Sequence, residues 1–218
     1  VEVVVLTPSN PQFTVKDFEA EESIPHEIDV LKIPIWEPFA LMQKLTGGKN
    51  KSQVKQGLVL EKEKQGFLDK LLIWIRGNFF IPDARRFWVK PASKFILEYL
   101  KNHPVDVLIT TGPPHSMHLI GRAVKQKSTI FWVADFRDPW SNWDLLDKLK
   151  TSRFAKWLHH RYEKKVLQNA DLVLATSPRQ AADLKDFGAK HSFSVTNGFS
   201  ANTEKVAPQQ FEKFRITH

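Results

Sequence analysis

The sequence contains no cysteine. That excludes a disulfide scaffold, a Cys-ligated zinc site, an iron–sulfur cluster and a cysteine nucleophile, and it fits a reducing compartment. No apolar run approaches the roughly 18 residues that a membrane-spanning helix needs. The opening run Val1–Leu6 lacks the basic region and the length of a signal peptide. There is no internal repeat, and no low-complexity segment beyond a lysine-rich stretch over 49–64 that reads as a solvated loop.

What is present suits a folded chain. Of the 218 residues, 42% are hydrophobic and 26% charged, enough for a buried core and too apolar for wholesale disorder. The length fits one large domain, or one domain and part of another. The net charge of +8 attracts phosphates of any kind, whether in nucleic acid, lipid headgroups or a nucleotide-like substrate. Seven tryptophans and sixteen phenylalanines are more than one core absorbs, so many must be partly exposed or line a groove.

Strands and helices alternate along the chain. Val3–Leu6 and Ile28–Ile33 read as strands, and Trp36–Leu45 as a helix closed by Gly47-Gly48. Phe67–Ile75 is strongly apolar and is expected to pack in the core. Pro91–Leu100 places Phe95, Ile96, Tyr99 and Leu100 on one helical face. Val105–Ile109 reads as a strand, followed by a helix to about Lys125, and Ser128–Ala134 as the next strand. Phe154, Trp157, Leu158, Tyr162 and Val166 recur at helical spacing, at core-like positions. Asp171–Ala175 is a strand, Ser177-Pro178 starts a helix that stops near Gly188, and Ser192–Val195 is a final strand.

This rhythm, with nearly continuous apolar strands, predicts an α/β fold: a Rossmann-like parallel sheet with helices on both faces. In such sheets ligands sit outside the carboxyl ends of the strands. The candidate site is therefore drawn from Thr110–His118, Asp135–Trp143, Thr176–Arg179 and Thr196–Phe199.

Gly112-Pro113-Pro114-His115-Ser116-Met117-His118 opens a helix whose first N–H groups, that of Ser116 among them, can meet an anion. His115 and His118 share a helix face. They suit polar contact with a sugar or phosphate, or simple capping and packing; a metal would need a third ligand. Asp135-Phe136-Arg137-Asp138-Pro139-Trp140 is the most distinctive stretch. Arg137 can bind a phosphate or carboxylate through two bonds. Asp135 and Asp138 can accept from sugar hydroxyls or act as a base. Trp140 and Trp143 offer flat faces to a sugar ring or lipid, or fill the core. The carboxylates are spaced Asp-x-x-Asp, unlike a metal-nucleotide motif. His159–Lys165 reads as a solvated helix face. Ser177 is most simply an N-cap that still faces the crevice. Asn197-Gly198 is a turn after a strand.

Taken together, these segments resemble the N-terminal half of the GT-B glycosyltransferases, in the large retaining group (the group 1 type) of bacterial cell-surface and glycolipid transferases. The resemblance rests on Val105–Pro114 with the helix start His115–Gly121, on Trp132–Trp140, Tyr162–Leu167 and Ala170–Ser177, and on Val195–Phe199. Order and spacing match over about 104–199. The resemblance implies two Rossmann-like domains facing a cleft. The N-terminal one would bind a glycan or lipid-linked acceptor and the C-terminal one a nucleotide-sugar donor. Transfer would proceed with retention and without metal or other cofactor. It assigns catalysis to Asp138 and Arg137, with Asp138 on the transferred sugar or acceptor hydroxyl and Arg137 orienting the loop or meeting a phosphate. Substrate contacts fall on Gly112, His115, Ser116, His118, Asp135, Trp140, Ser177 and Asn197. Related enzymes carry a histidine in the loop where this chain has Phe136-Arg137-Asp138.

Residues 1–199 are expected to form the acceptor-side domain, entered at its second strand without the family's first strand and glycine-rich loop. Residues 200–218 are expected to be a linker and, from Phe214, the first strand of a donor-binding domain. Such a piece would be inactive alone. Its setting would be cytoplasmic, with no nucleic-acid partner; peripheral contact at the inner face of the plasma membrane, through Phe67–Ile75, Phe79-Phe80 and nearby lysines, is compatible with this as the alternative to packing Phe67–Ile75 in the core. The competing readings are a sugar-nucleotide epimerase or phosphorylase of the same architecture, and a non-catalytic basic and aromatic binding module.

Overall fold

The structure, a computed structural model, describes residues 1–11, 24–38, 67–143 and 145–198. Expectations for residues 39–45, for 49–64, for Phe199 and for 200–218 fall outside these. Trp36–Pro38, expected to begin a helix, is not helical.

Two parallel sheets form the framework. β1 (Val4–Pro8) pairs with β2 (Asp29–Ile33), from Val4 opposite Asp29 to Pro8 opposite Ile33. The larger sheet holds β3 (Val107–Gly112), β4 (Phe131–Phe136), β5 (Leu172–Ala175) and β6 (Ser192–Ser194), side by side in chain order. The remaining elements are α1 (Phe67–Phe79), a 3₁₀ turn (Ala84–Trp88), α2 (Val89–Asn102), α3 (Ser116–Lys125), α4 (Leu145–Lys148), α5 (Arg153–Asn169) and α6 (Pro178–Phe187).

The fold class is that expected from the alternation: α/β, with a parallel four-stranded sheet flanked by helices. Parallel neighbours need a crossover, and α3, α5 and α6 supply the three crossovers from β3 to β6. Every second strand residue faces these helices. Trp132, Ala134 and Phe136 of β4 and Val173 and Ala175 of β5 join Val166, Leu167, Ala181 and Leu184 of α5 and α6 in one buried core. A second core joins Ala92 of α2 and Ile120 and Val124 of α3 to Leu6 and Ile33 of the small sheet. On the opposite face of the large sheet Val107, Ile109, Phe131 and Phe193 are exposed, Leu172 and Leu174 half-buried and Val133 buried.

Close approach fixes one glycine. A Cβ on Gly121 would lie 2.2 Å from Trp132 Nε1, so only glycine lets α3 settle on that fully buried indole. Asp171 Oδ2 ties the layers together. It accepts the Trp132 N–H at 2.8 Å and pairs with Lys125 Nζ at 2.6 Å.

Some expectations change. β4 runs to Phe136 rather than Ala134, because the ladder with β3 continues to Gly112 opposite Phe136. In α2, Ile96 and Leu100 pack inward, while Phe95, Tyr99 and His103 stack along the helix. Phe67–Ile75 lies in a helix, with Ile73 buried against Leu146 and Leu149 but Leu71 and Trp74 exposed. Phe154 and Trp157 are exposed rather than in the core. His159 and Glu163, expected on a solvated face, are buried, since α5 turns Ala155, His159, Glu163, Val166 and Leu167 inward as one stripe.

Candidate functional site

The loops after β3, β4 and β5 and the segment after β6 meet at the carboxyl end of the sheet. They form an exposed rim over a buried wall of aromatic and imidazole rings.

The rim is built by the ladder itself. Thr111 and Asp135 are register partners, so the Thr111 hydroxyl donates to Asp135 Oδ2 at 2.8 Å. One residue past the strand, the Arg137 N–H donates to the Gly112 carbonyl at 2.9 Å, closing the β3–β4 corner. The Arg137 guanidinium reaches across to Asn197 Oδ1 at 2.5 Å. Its carbonyl accepts the Thr176 hydroxyl at 3.3 Å. Arg137 thus gathers the ends of β3, β4 and β5 and the segment after β6. Asp138 follows it and is also exposed.

The wall lies beneath. The His118 ring stacks on Phe136 with centroids 4.3 Å apart, and the His115 ring lies parallel to Trp140 at 4.9 Å. Thr110 Oγ1 accepts the Trp132 indole N–H at 3.0 Å and lies 3.1 Å from His118 Nδ1. Gly112 is required here, because a Cβ would stand 2.7 Å from His118 Nε2. Trp140 Nε1 donates to His159 Nδ1 at 3.0 Å, and the Glu163 carboxylate accepts the backbone N–H and hydroxyl of Ser141. α5 therefore holds the Trp140–Ser141 turn from below.

Burial sets the charge states. It lowers His115 to about 3, with the Pro139 carbonyl partly opposing and His159 adding to the shift. It lowers His159 to about 4, helped by His160. It carries His118 well below the usual imidazole range, with His115 adding repulsion. All three are neutral near pH 7, so the cation facing the rim is Arg137 rather than a histidine.

The expected site residues thus separate into two layers. Asp135, Arg137, Asp138 and Asn197 lie on the rim. Ser177 caps α6, its hydroxyl accepting the Gln180 N–H at 3.2 Å. His115, His118 and Trp140 are buried, and one face of Trp140 is covered by His115, so its indole builds the wall and does not lie open to a sugar ring. Ser116, expected to offer its N–H to an anion, already has one: Asp83 accepts that N–H and the Ser116 hydroxyl, each at 2.8 Å. Among the described residues no three carboxylates or imidazoles group closely enough to hold a metal ion.

Three residues of this construction lie outside the segments drawn from sequence as the site: Asp83, His159 and Glu163. The last two carried a signal, since they continue the spacing of Ala155, Val166 and Leu167. Asp83 carried only that of a local cap, which it also is, accepting the Arg85 N–H at 2.9 Å.

The model of one family, the glycosyl transferase 4-like domain, matches residues 74–193. The chain belongs to this family. The matched span runs from the middle of α1 into β6, and holds most of the rim and all of the ring wall. No curated protein and no solved structure matches the chain. A glycosyl transferase 4-like domain works on a sugar donor and an acceptor, and the crevice at the strand ends is where an α/β sheet holds such ligands.

Proposed function

We propose that the protein moves a sugar from a nucleotide-sugar donor to a glycan or lipid-linked acceptor, with retention at the anomeric carbon, in the synthesis of a cell-surface polysaccharide. The observation that carries this reading is the rim: Arg137, Asp138, Asp135 and Asn197 converge at the carboxyl ends of a sheet within a glycosyl transferase 4-like domain.

On this reading the bond from the anomeric carbon to the diphosphate breaks and one to the acceptor oxygen forms. The acceptor hydroxyl loses its proton. Asp138 orients that hydroxyl or the transferred sugar, and Arg137 meets the negative charge that gathers on the departing diphosphate. No metal or cofactor takes part. On this reading the described residues supply the acceptor side of the crevice, and the donor is held by a second domain facing it. A cytoplasmic setting belongs to the same proposal. Among the described residues no helix is long and apolar enough to cross a membrane.

The test is the thermal stability of the full two-domain protein across a panel of nucleotide sugars, without added metal. A bound donor raises the melting temperature by mass action. A rise with one nucleotide sugar supports the reading and names the donor class. No rise with any of them, in a well-folded protein, overturns it.

A further inference from the structure

Four large aromatic side chains stand out into solvent at one corner. Phe79 is 60% exposed and Trp74 41%, and their rings meet edge to face at 5.7 Å. Phe154 is 69% exposed and Trp157 53%, and their rings stack at 5.7 Å on successive turns of α5. The two pairs flank a single joint. Asn78 donates to the Lys150 carbonyl at 3.2 Å and accepts the Ser152 N–H at 2.8 Å. Gly77 rests against Leu149, where a Cβ would come within 2.4 Å of its carbonyl oxygen. The end of α1 is thus fastened to the start of α5, and the aromatic pairs project from either side of the fastening.

Charge surrounds them. From Leu145 to Lys165 there are seven lysines and arginines against two carboxylates. Glu163 is buried, and Asp147 is paired with Lys156 at 2.5 Å, which leaves the outer surface basic. The Arg161 guanidinium lies 5.4 Å from the Trp157 ring centre. Exposed Trp and Phe rings beside Arg and Lys match the chemistry of a bilayer interface, where rings enter the headgroup region and cations meet anionic lipid. Bases stacking on the rings would be the alternative. Leu71, 41% exposed one turn before Trp74, adds aliphatic surface that lipid accepts and no base stacks upon.

We propose that this corner, where α1 meets the start of α5, docks the protein on an anionic lipid surface. Its place gives the contact a use. A crossover helix begins at the carboxyl end of the sheet, so the first turns of α5 lie at the same end of the molecule as the rim of Arg137 and Asp138. A protein seated this way holds its crevice beside the membrane, where a lipid-linked acceptor lies. This consequence rests on the transferase reading; the lipid contact itself does not.

The experiment is co-sedimentation of the chain with vesicles of mixed phosphatidylglycerol and phosphatidylcholine, and with vesicles of phosphatidylcholine alone. Binding is expected to the mixed vesicles, to weaken as salt is raised, and to be slight on phosphatidylcholine. The double variant Phe154→Ser/Trp157→Ser is expected to lower partitioning at least about tenfold. Arg153→Glu with Arg161→Glu is expected to act similarly at low salt, and offers an independent variant should the first fail to fold. Phe193→Ser, at an exposed position on the open sheet face, is expected to leave binding unchanged. The proposal falls if the chain ignores the mixed vesicles, or if the aromatic variant binds them as the unaltered chain does. It also falls if that variant instead dissolves a soluble dimer or abolishes binding to single-stranded DNA. Transfer to a water-soluble acceptor by the full two-domain protein, assayed separately, reports on the transferase reading. Vesicle binding lost with transfer intact removes only the docking, and the converse removes only the enzyme.

Discussion

The Asp83 carboxylate grips Ser116 twice, taking its backbone N–H and its hydroxyl at 2.8 Å each across 33 residues of chain. It thereby fills the N-terminus of α3 from within the protein and binds the 3₁₀ turn to the floor of the crevice. Asp83→Ala strands both donors of Ser116, and is expected to cost about 2–3 kcal/mol, read as a fall in melting temperature. Unchanged melting would mean that water replaces the carboxylate without loss, and that the contact does not hold the floor.

The buried histidines make the fold sensitive to acid. Folding lowers His115 to about 3 and His159 to about 4 from 6.5, and lowers His118 as well. The unfolded chain therefore binds more protons below 6.5, and stability falls as the pH drops from there towards 4. Each histidine contributes at most about 1.4 kcal/mol per pH unit. Burial raises Asp83 and Glu163, which act in the opposite sense: their contribution is present at low pH and lost as pH rises. Three imidazoles outweigh two carboxyls between about pH 6.5 and 4.5. Denaturant unfolding across this range should show the decline, and His159→Gln should flatten it. An unaltered slope in that variant would place the acid sensitivity elsewhere.

Two glycines should respond oppositely to a methyl group. At Gly121 it meets the Trp132 indole at 2.2 Å, whereas at Gly198 nothing lies within 4 Å. Gly121→Ala is expected to destabilise by about 1–3 kcal/mol, as overpacked cores do. Gly198→Ala should melt like the parent. Equal melting of the two variants would mean that α3 can lift from the sheet freely.

At the rim, activity and stability should part. Asp138 is exposed, so Asp138→Asn in the full-length enzyme should leave the melting temperature nearly unchanged. Turnover should fall by on the order of a hundredfold if its carboxylate acts on the reacting hydroxyl. Equal loss of both would make the residue structural. Arg137→Ala and Asn197→Ala share one hydrogen bond, so their effects on turnover should be less than additive in a double-mutant cycle.

Much of the frame was legible in the chain, because strands and helices write their burial into sequence with periods of two and 3.6. β3 to β6 and α2, α3, α5 and α6 fall where the apolar runs and breakers put them, and Ser177 caps α6 as its place before Pro178 indicated. Strand ends gave way to pairing: β4 takes in Asp135 and Phe136 because β3 has partners for them, which no local pattern records.

What the sequence determined by itself was the alternation, the family motifs and the position of the rim at the carboxyl ends of the strands. All of these are properties of short segments and their order. Only the tertiary structure decided which side chains reach solvent. It took Trp140, His115 and His118 into the wall and turned Phe154 and Trp157 outward on a helix whose spacing alone suggested the core. It also brought Asp83 to Ser116. The physical reason is the same throughout. A side chain's surroundings come from neighbours far along the chain, and whether a ring meets water or another ring depends on what the fold packs against it.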